Sequence, residues 1–141
     1  ITRLVDMGIE PFLISSSVLG VVAQRLVRVI CPDCKKAYIP APDSHERSFL
    51  KLQPEDSIVL YKGTGCSRCN HSGYQGRIAI HEVLPLTNRL KELINQGISG
   101  HELAIAAERA GMRSMVQDGV DKALKGCTTL GEVMRVAYAQ I

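Results

Sequence analysis

Four of the five cysteines stand in two Cys-x-x-Cys pairs, Cys31-Pro-Asp-Cys34 and Cys66-Ser-Arg-Cys69. A two-residue gap lets one tight turn aim both of its sulfurs at a common point, and two such turns supply the four soft donors that saturate a tetrahedral ion. A closed four-thiolate site keeps no open position for water, so its expected work is folding and rigidity, not catalysis. The stretch between the pairs, Lys35 to Gly65, is 31 residues long. It exceeds the ~15–20 residues of common zinc-binding spacings, so strands within it must bring the two halves together. Cys31, Cys34, Cys66 and Cys69 are therefore the expected ligands of a structural Zn2+; a four-thiolate iron site, a dithiol redox pair and free thiols use the same sulfurs.

The other metal-binding residue types carry less. His45, His71, His81 and His101 are not needed once four cysteines complete a tetrahedron, although His71 follows Cys69 by two positions. Cys127 stands alone after Gly126, with no motif placing a base beside it, and reads as a small buried apolar residue. Few cysteines, most of them paired for metal, suit a reducing compartment, and the cytoplasm is the default expectation. The longest uncharged run, Pro11 to Gln24, contains three serines and is shorter than the ~20 residues of a membrane span. A net charge of +3 with scattered basic residues leaves no strong nucleic-acid footprint.

Aromatic residues make up 4% of the chain and tryptophan is absent, so burial falls to Leu, Ile, Val, Ala and Met, and a helix-rich α+β fold is expected. Val18, Val22, Leu26 and Val29 recur at helical spacing, which predicts a helix ending at Ile30, with Arg25 and Arg28 on a solvated face. Pro32, Pro40, Pro42, Pro54 and clustered glycines then punctuate strand-like runs at Ile58–Tyr61 and Arg77–Val83. Such a small, loop-rich insert needs a staple, and a structural metal is the available one. Beyond Pro85 four short helices are expected. Thr87 opens the first, a Ser99/Glu102 capping box the second and a Thr129/Glu132 box, ahead of Val133, Met134 and Ala137, the last; Gly97, Gly111 and Gly126 act as stops. No Gly-x-x-x-x-Gly-Lys-[Ser/Thr] phosphate loop occurs; Lys62-Gly-Thr-Gly65 lacks both the spacing and the following lysine.

Several motifs in order resemble the hexameric ATPases of type II secretion and type IV pilus assembly. They are Ile1-Thr-Arg-Leu-Val-Asp-Met-Gly-Ile-Glu-Pro-Phe-Leu13, Gln24-Arg-Leu-Val-Arg28, Cys31-Pro-Asp-Cys-Lys35, Gly65-Cys-Ser-Arg-Cys69, Gly73-Tyr-Gln-Gly-Arg77, His81-Glu82, Gly111-Met112, Asp118-Gly119 and Thr128-Thr-Leu-Gly-Glu-Val133. The resemblance implies a chain that begins after the family's phosphate loop and so lacks its catalytic machinery. Residues 1–30 would close a RecA-like domain, 31–84 would be the tetracysteine metal-binding subdomain, and 85–141 the C-terminal helical subdomain. The intact protein would bind ATP and Mg2+, form a homo-hexamer and work in the cytoplasm, peripheral to the inner membrane through platform proteins, to drive assembly of pilin or pseudopilin fibres. Two other classes compete: a freestanding zinc-ribbon module binding protein or nucleic acid, and a redox or electron-transfer cysteine protein. The first would need a basic face bearing aromatics, whereas Phe12, Phe49 and the four tyrosines lie mostly away from the basic residues. The second would show iron colour or reversible thiol loss.

Overall fold

The computed structural model describes residues 1–138; residues 139–141, which the sequence reading placed in the last helical segment, and the side chains of Ala137 and Tyr138 lie outside the described residues. The chain runs through α1 (Thr2–Asp6), α2 (Pro11–Ser17), β1 (Gly20–Ile30), β2 (Lys35–Tyr38), α3 (His45–Leu50), β3 (Leu60–Gly63), a 3-10 turn (Ser67–Cys69), β4 (Tyr74–Pro85), α4 (Asn88–Asn95), α5 (Gly100–Arg109), α6 (Met115–Leu124) and α7 (Leu130–Tyr138). The fold is α+β, with two two-stranded sheets, β1 with β4 and β2 with β3. Among the described residues, no helix is long and apolar enough to cross a membrane.

The helix predicted up to Ile30 is a strand. The segment is rich in β-branched residues, Val21, Val22, Val27, Val29 and Ile30, which fit a pleated surface better than their helical spacing suggests. Pairing with β4 supplies its backbone partners, and Val27 and Ile30, which alternation places on opposite faces, are both buried. Strand β2 and helix α3 also escaped the sequence reading. Helix α3 has a local signal, since the Ser44 side chain caps it by accepting from the Arg47 N–H.

The four helices beyond Pro85 form as expected. Thr87 Oγ1 accepts from the Leu90 N–H, and the Ser99/Glu102 capping box is complete in both directions. The Thr129/Glu132 box is only half formed. Thr129 Oγ1 accepts from the Glu132 N–H at 3.2 Å, but the Glu132 carboxylate turns away to other donors.

Packing divides the chain into two compact units, residues 1–23 with 82–114 and residues 24–81 with 115–141. Each combines two separate stretches of sequence. The core of the first is Ile14, Leu86, Leu90, Ile94, Leu103 and Ala107. In the second, Leu60 of β3 packs with Ala123 of α6 and with Leu130 and Val133 of α7, while Val27, Ile80 and Val136 form a neighbouring cluster. Helices α6 and α7 therefore share a core with the strands that carry the cysteines.

Gly119 lets α6 approach α7. A Cβ there would come within 2.7 Å of Val133 Cγ1, and Val133 is fully buried. Gly119→Ala is expected to lower stability by about 1–3 kcal/mol through overpacking, despite alanine's better helix propensity. A fall in the urea midpoint checks this; an unchanged midpoint would mean that the two helices can part without cost.

Candidate metal centre

The four paired cysteines converge. Their sulfurs all lie within 4.8 Å of one another, and no other such group of ligand atoms occurs among the described residues. Cys31 and Cys66 are 3.9 Å apart, Cys34 and Cys69 3.9 Å, and Cys66 and Cys69 3.7 Å. An ion ~2.3 Å from four sulfurs at tetrahedral angles requires S···S edges of about 3.8 Å. Three of the six edges match this length and all lie within 4.8 Å, so the donor set is compatible with zinc. His45, His71, His81 and His101 lie outside the cluster.

Two strand-to-strand turns build the cage. Cys31 follows β1 and Cys34 precedes β2, while Cys66 caps and Cys69 ends the 3-10 turn that leads from β3 towards β4. The long separation between the pairs is closed by β2 and β3, which pair antiparallel with Lys35 opposite Gly63 and Tyr38 opposite Leu60. Backbone hydrogen bonds then tie the turns to each other: the Cys31 N–H donates to the Gly73 carbonyl at 3.0 Å, and the Thr64 N–H to the Cys34 carbonyl at 3.0 Å. Gly63 and Gly73 are in backbone contact. A Cβ on Gly63 would overlap the Gly73 carbonyl, and Gly73, at φ +77°, is in the left-handed region that favours glycine.

Charge on the sulfurs is managed unevenly. Burial pushes the Cys34 thiol up to about 11, against a lowering contribution from the Gly65 N–H. Burial also raises Cys31, outweighing the N–H groups of Asp33 and Cys34. At Cys69 burial again pushes upward but loses to two N–H donors, from Cys66 and Gly73 at 3.3 Å each, and the thiol is brought down to about 6. Asp33 and Arg68 pair at 3.2 Å between the two turns; both are exposed, so the pair adds ~0–1 kcal/mol.

What holds β1, and with it Cys31, in place was not legible beforehand. Arg28, read as a solvated charge, is instead joined to α7. Its N–H donates to Glu132 Oε2 at 3.0 Å and its guanidinium to Oε1 at 2.9 Å, while its carbonyl accepts from Thr128 Oγ1 at 2.7 Å. Arg135 donates to both Glu132 oxygens at 3.1 Å. The Arg28 guanidinium also lies 4.1 Å from the centre of the Tyr74 ring, whose hydroxyl meets Thr129 Oγ1 at 2.9 Å. Two residues on, the Ile30 N–H donates to the Cys127 carbonyl at 3.0 Å. On β4, the His81 N–H donates to Asp118 of α6 at 2.8 Å, and Lys122 pairs with the same carboxylate. The motifs Gln24–Arg28, Thr128–Val133 and Asp118–Gly119 are thus parts of one packed unit.

The model of the type II/IV secretion system protein family matches residues 1–135. The chain is 50% identical over 136 residues to the type II secretion system ATPase E of Vibrio cholerae, covering 96% of this chain and 26% of that protein. It is 46% identical over 134 residues to the type IV pilus assembly ATPase PilB of Thermus thermophilus, covering 95% of this chain and 15% of the relative. The type II secretion system protein E of Pseudomonas aeruginosa is 46% identical over 136 residues, with 96% and 26% covered. The chain thus spans about a quarter or less of the length of these relatives. With the family match reaching almost from end to end, the chain belongs to the type II/IV secretion system protein family.

Proposed function

We propose that this chain is the C-terminal part of an ATPase that powers fibre assembly in protein secretion or pilus biogenesis, and that it contributes a structural zinc centre and not the chemistry of hydrolysis. The observation that carries this reading is the 50% identity to a secretion ATPase across 96% of a chain that has no phosphate-binding loop. In this reading residues 1–30 close a RecA-like domain, 31–84 carry the metal and 85–141 form a helical subdomain. ATP and Mg2+ bind elsewhere in the intact protein, which acts as a cytoplasmic homo-hexamer docked on inner-membrane platform proteins.

Cys31, Cys34, Cys66 and Cys69 would hold the zinc. When bound, it supplies four strong bonds that join the turns, with no open position for a substrate. The rest is done by the chain itself: the pairing of β2 with β3 aligns the turns, and Arg28 and Glu132 tie β1 to α7. A rigid link of this kind suits the transmission of motion more than its generation.

The test is a paired measurement on the intact protein carrying Cys69→Ser. Nucleotide affinity is expected to stay near the wild-type value, while ring assembly or secretion, or piliation in cells, is lost. The chain by itself should show no ATP hydrolysis above background. Turnover by the purified chain, or normal export by the variant, would overturn this account.

A further inference from the structure

The four sulfurs are not equivalent, and the difference points to a chemistry beyond structural support. Cys31, Cys34 and Cys69 are buried; Cys66 alone of the four is partly exposed. Cys69 is further protected by the Cys66 and Gly73 N–H groups on its sulfur, which hold electron density that an attacking thiolate would need. Cys66 sulfur accepts one backbone N–H, that of Cys69 in the reciprocal box of the 3-10 turn, against the two at Cys69. Its sulfur neighbours are Cys69 at 3.7 Å in its own turn and Cys31 at 3.9 Å in the other turn.

We propose that Cys66 is the modification site of the centre: hydrogen peroxide oxidises it first, Cys31 resolves it as a disulfide between the two turns, and the protein then releases its metal. The inference rests on the reading of the four cysteines as a metal centre. In the first step the Cys66 thiolate attacks one peroxide oxygen, the O–O bond breaks, and Cys66 becomes a sulfenic acid as hydroxide leaves. The Cys31 thiolate then attacks the Cys66 sulfur, forming the S–S bond and expelling the second oxygen as hydroxide. Two protons from solvent convert the hydroxides to water. Peroxide takes up two electrons and the two thiolates give them up, so no further oxidant is required.

Cys31 is the resolving partner for a geometric reason. Joining Cys66 to Cys69 would break the reciprocal box in which each sulfur accepts the other residue's N–H inside a single 3-10 turn, whereas the N–H donors to Cys31, those of Asp33 and Cys34, belong to its own turn. Joining Cys66 to Cys31 closes a 3.9 Å gap across the turns to the ~2.05 Å of a disulfide and leaves Cys69 and Cys34 as they are. A covalent link then spans the two turns where the ion had done so. With two of its four donors consumed, the centre no longer saturates zinc. The disulfide is reducible by a dithiol, so the change is reversible in a reducing compartment.

The experiment uses the chain loaded with zinc. Hydrogen peroxide is added in small steps, zinc release is followed with a chromogenic chelator, and remaining thiols are located by alkylation and peptide mass mapping. The first two thiols lost should be Cys66 and Cys31, joined in one peptide pair, with zinc released in step; dithiothreitol and added zinc should restore the starting state. In a parallel arm without oxidant, limiting N-ethylmaleimide should label Cys66 several-fold faster than Cys31, Cys34 or Cys69. First oxidation at Cys34 or Cys69, a Cys66–Cys69 disulfide, or equal labelling of all four overturns the inference while leaving the metal centre intact. A protein that takes up no zinc overturns both.

Discussion

Stripping the metal with a chelator, or replacing Cys34 with serine, is expected to abolish amide-exchange protection throughout β2, β3, α6 and α7, while α4 and α5 keep theirs. The unit formed by residues 24–81 and 115–141 has a modest apolar core, with Leu60, Ala123, Leu130 and Val133 in one cluster and Val27, Ile80 and Val136 in another. Apparent binding energies of structural zinc sites run ~10–16 kcal/mol near neutral pH, as large as the ~5–15 kcal/mol total stability of a typical domain. Loss of the ion should therefore cost the unit most of its stability. Helices α6 and α7 are included because they pack on β3, although more than 50 residues of chain, by number, separate them from Cys69 for α7 and some 45 for α6. Helices α4 and α5 belong to the other unit, around Leu90, Ile94 and Leu103.

The measurements are elemental analysis, which should find about one zinc per chain for one tetrahedral site, and hydrogen exchange before and after chelation. Holding the ion requires four thiolates, and burial raises both Cys31 and Cys34, so retention should weaken as pH falls. Full protection of β2 and β3 in metal-free protein would show that the apolar clusters suffice without it.

Replacing Glu132 with alanine is expected to destabilise the same unit by about 3 kcal/mol, far more than an ordinary helix-surface substitution. Glu132 is only 2% exposed and accepts from Arg28, through backbone and side chain, and from Arg135. Burial by itself would raise its carboxyl; the hydrogen bonds from the two arginines win and bring it down to about 2 from an ordinary 4.5. Both guanidinium groups are shifted upward in turn, as partners of a carboxylate should be.

A folded-state value below the unfolded one means that stability is fully present above about pH 4.5 and is lost as pH falls towards 2. The shift corresponds to on the order of 3 kcal/mol at neutral pH. Glu132→Gln keeps an acceptor for the Arg28 N–H but removes the charge, so it should cost less than alanine at pH 7. Its deficit relative to wild type should narrow below about pH 4.5. Urea denaturation of the three proteins across this range is the check, and a deficit independent of pH would mean that packing, and not charge, makes Glu132 matter.

Some of this protein was readable one residue at a time. The Cys-x-x-Cys spacing identified all four sulfurs that converge, because a tight turn is a local object and its geometry is set by the residues within it. Helices α4 and α5 announced themselves for the same reason: Thr87 and Ser99 satisfy N–H groups only three residues away. Where the reading failed, the deciding partner was distant in sequence. The residues from Gly20 to Ile30 satisfy a helical period, yet they form a strand because β4 offers hydrogen-bond partners some 50 residues on and because Val27 and Ile30 find cover on both faces. Glu132 sits at a capping-box position, but the arginine on β1, 104 residues away, competes successfully for its carboxylate, since an ion pair at a buried oxygen outweighs one terminal N–H. Local spacing thus determined which four sulfurs cluster and where α4 and α5 start. Tertiary structure alone decided which strands close the 31-residue gap, that α6 and α7 share a core with those strands, and which sulfur stands open, because each depends on contacts whose free energy exists only once remote segments have met.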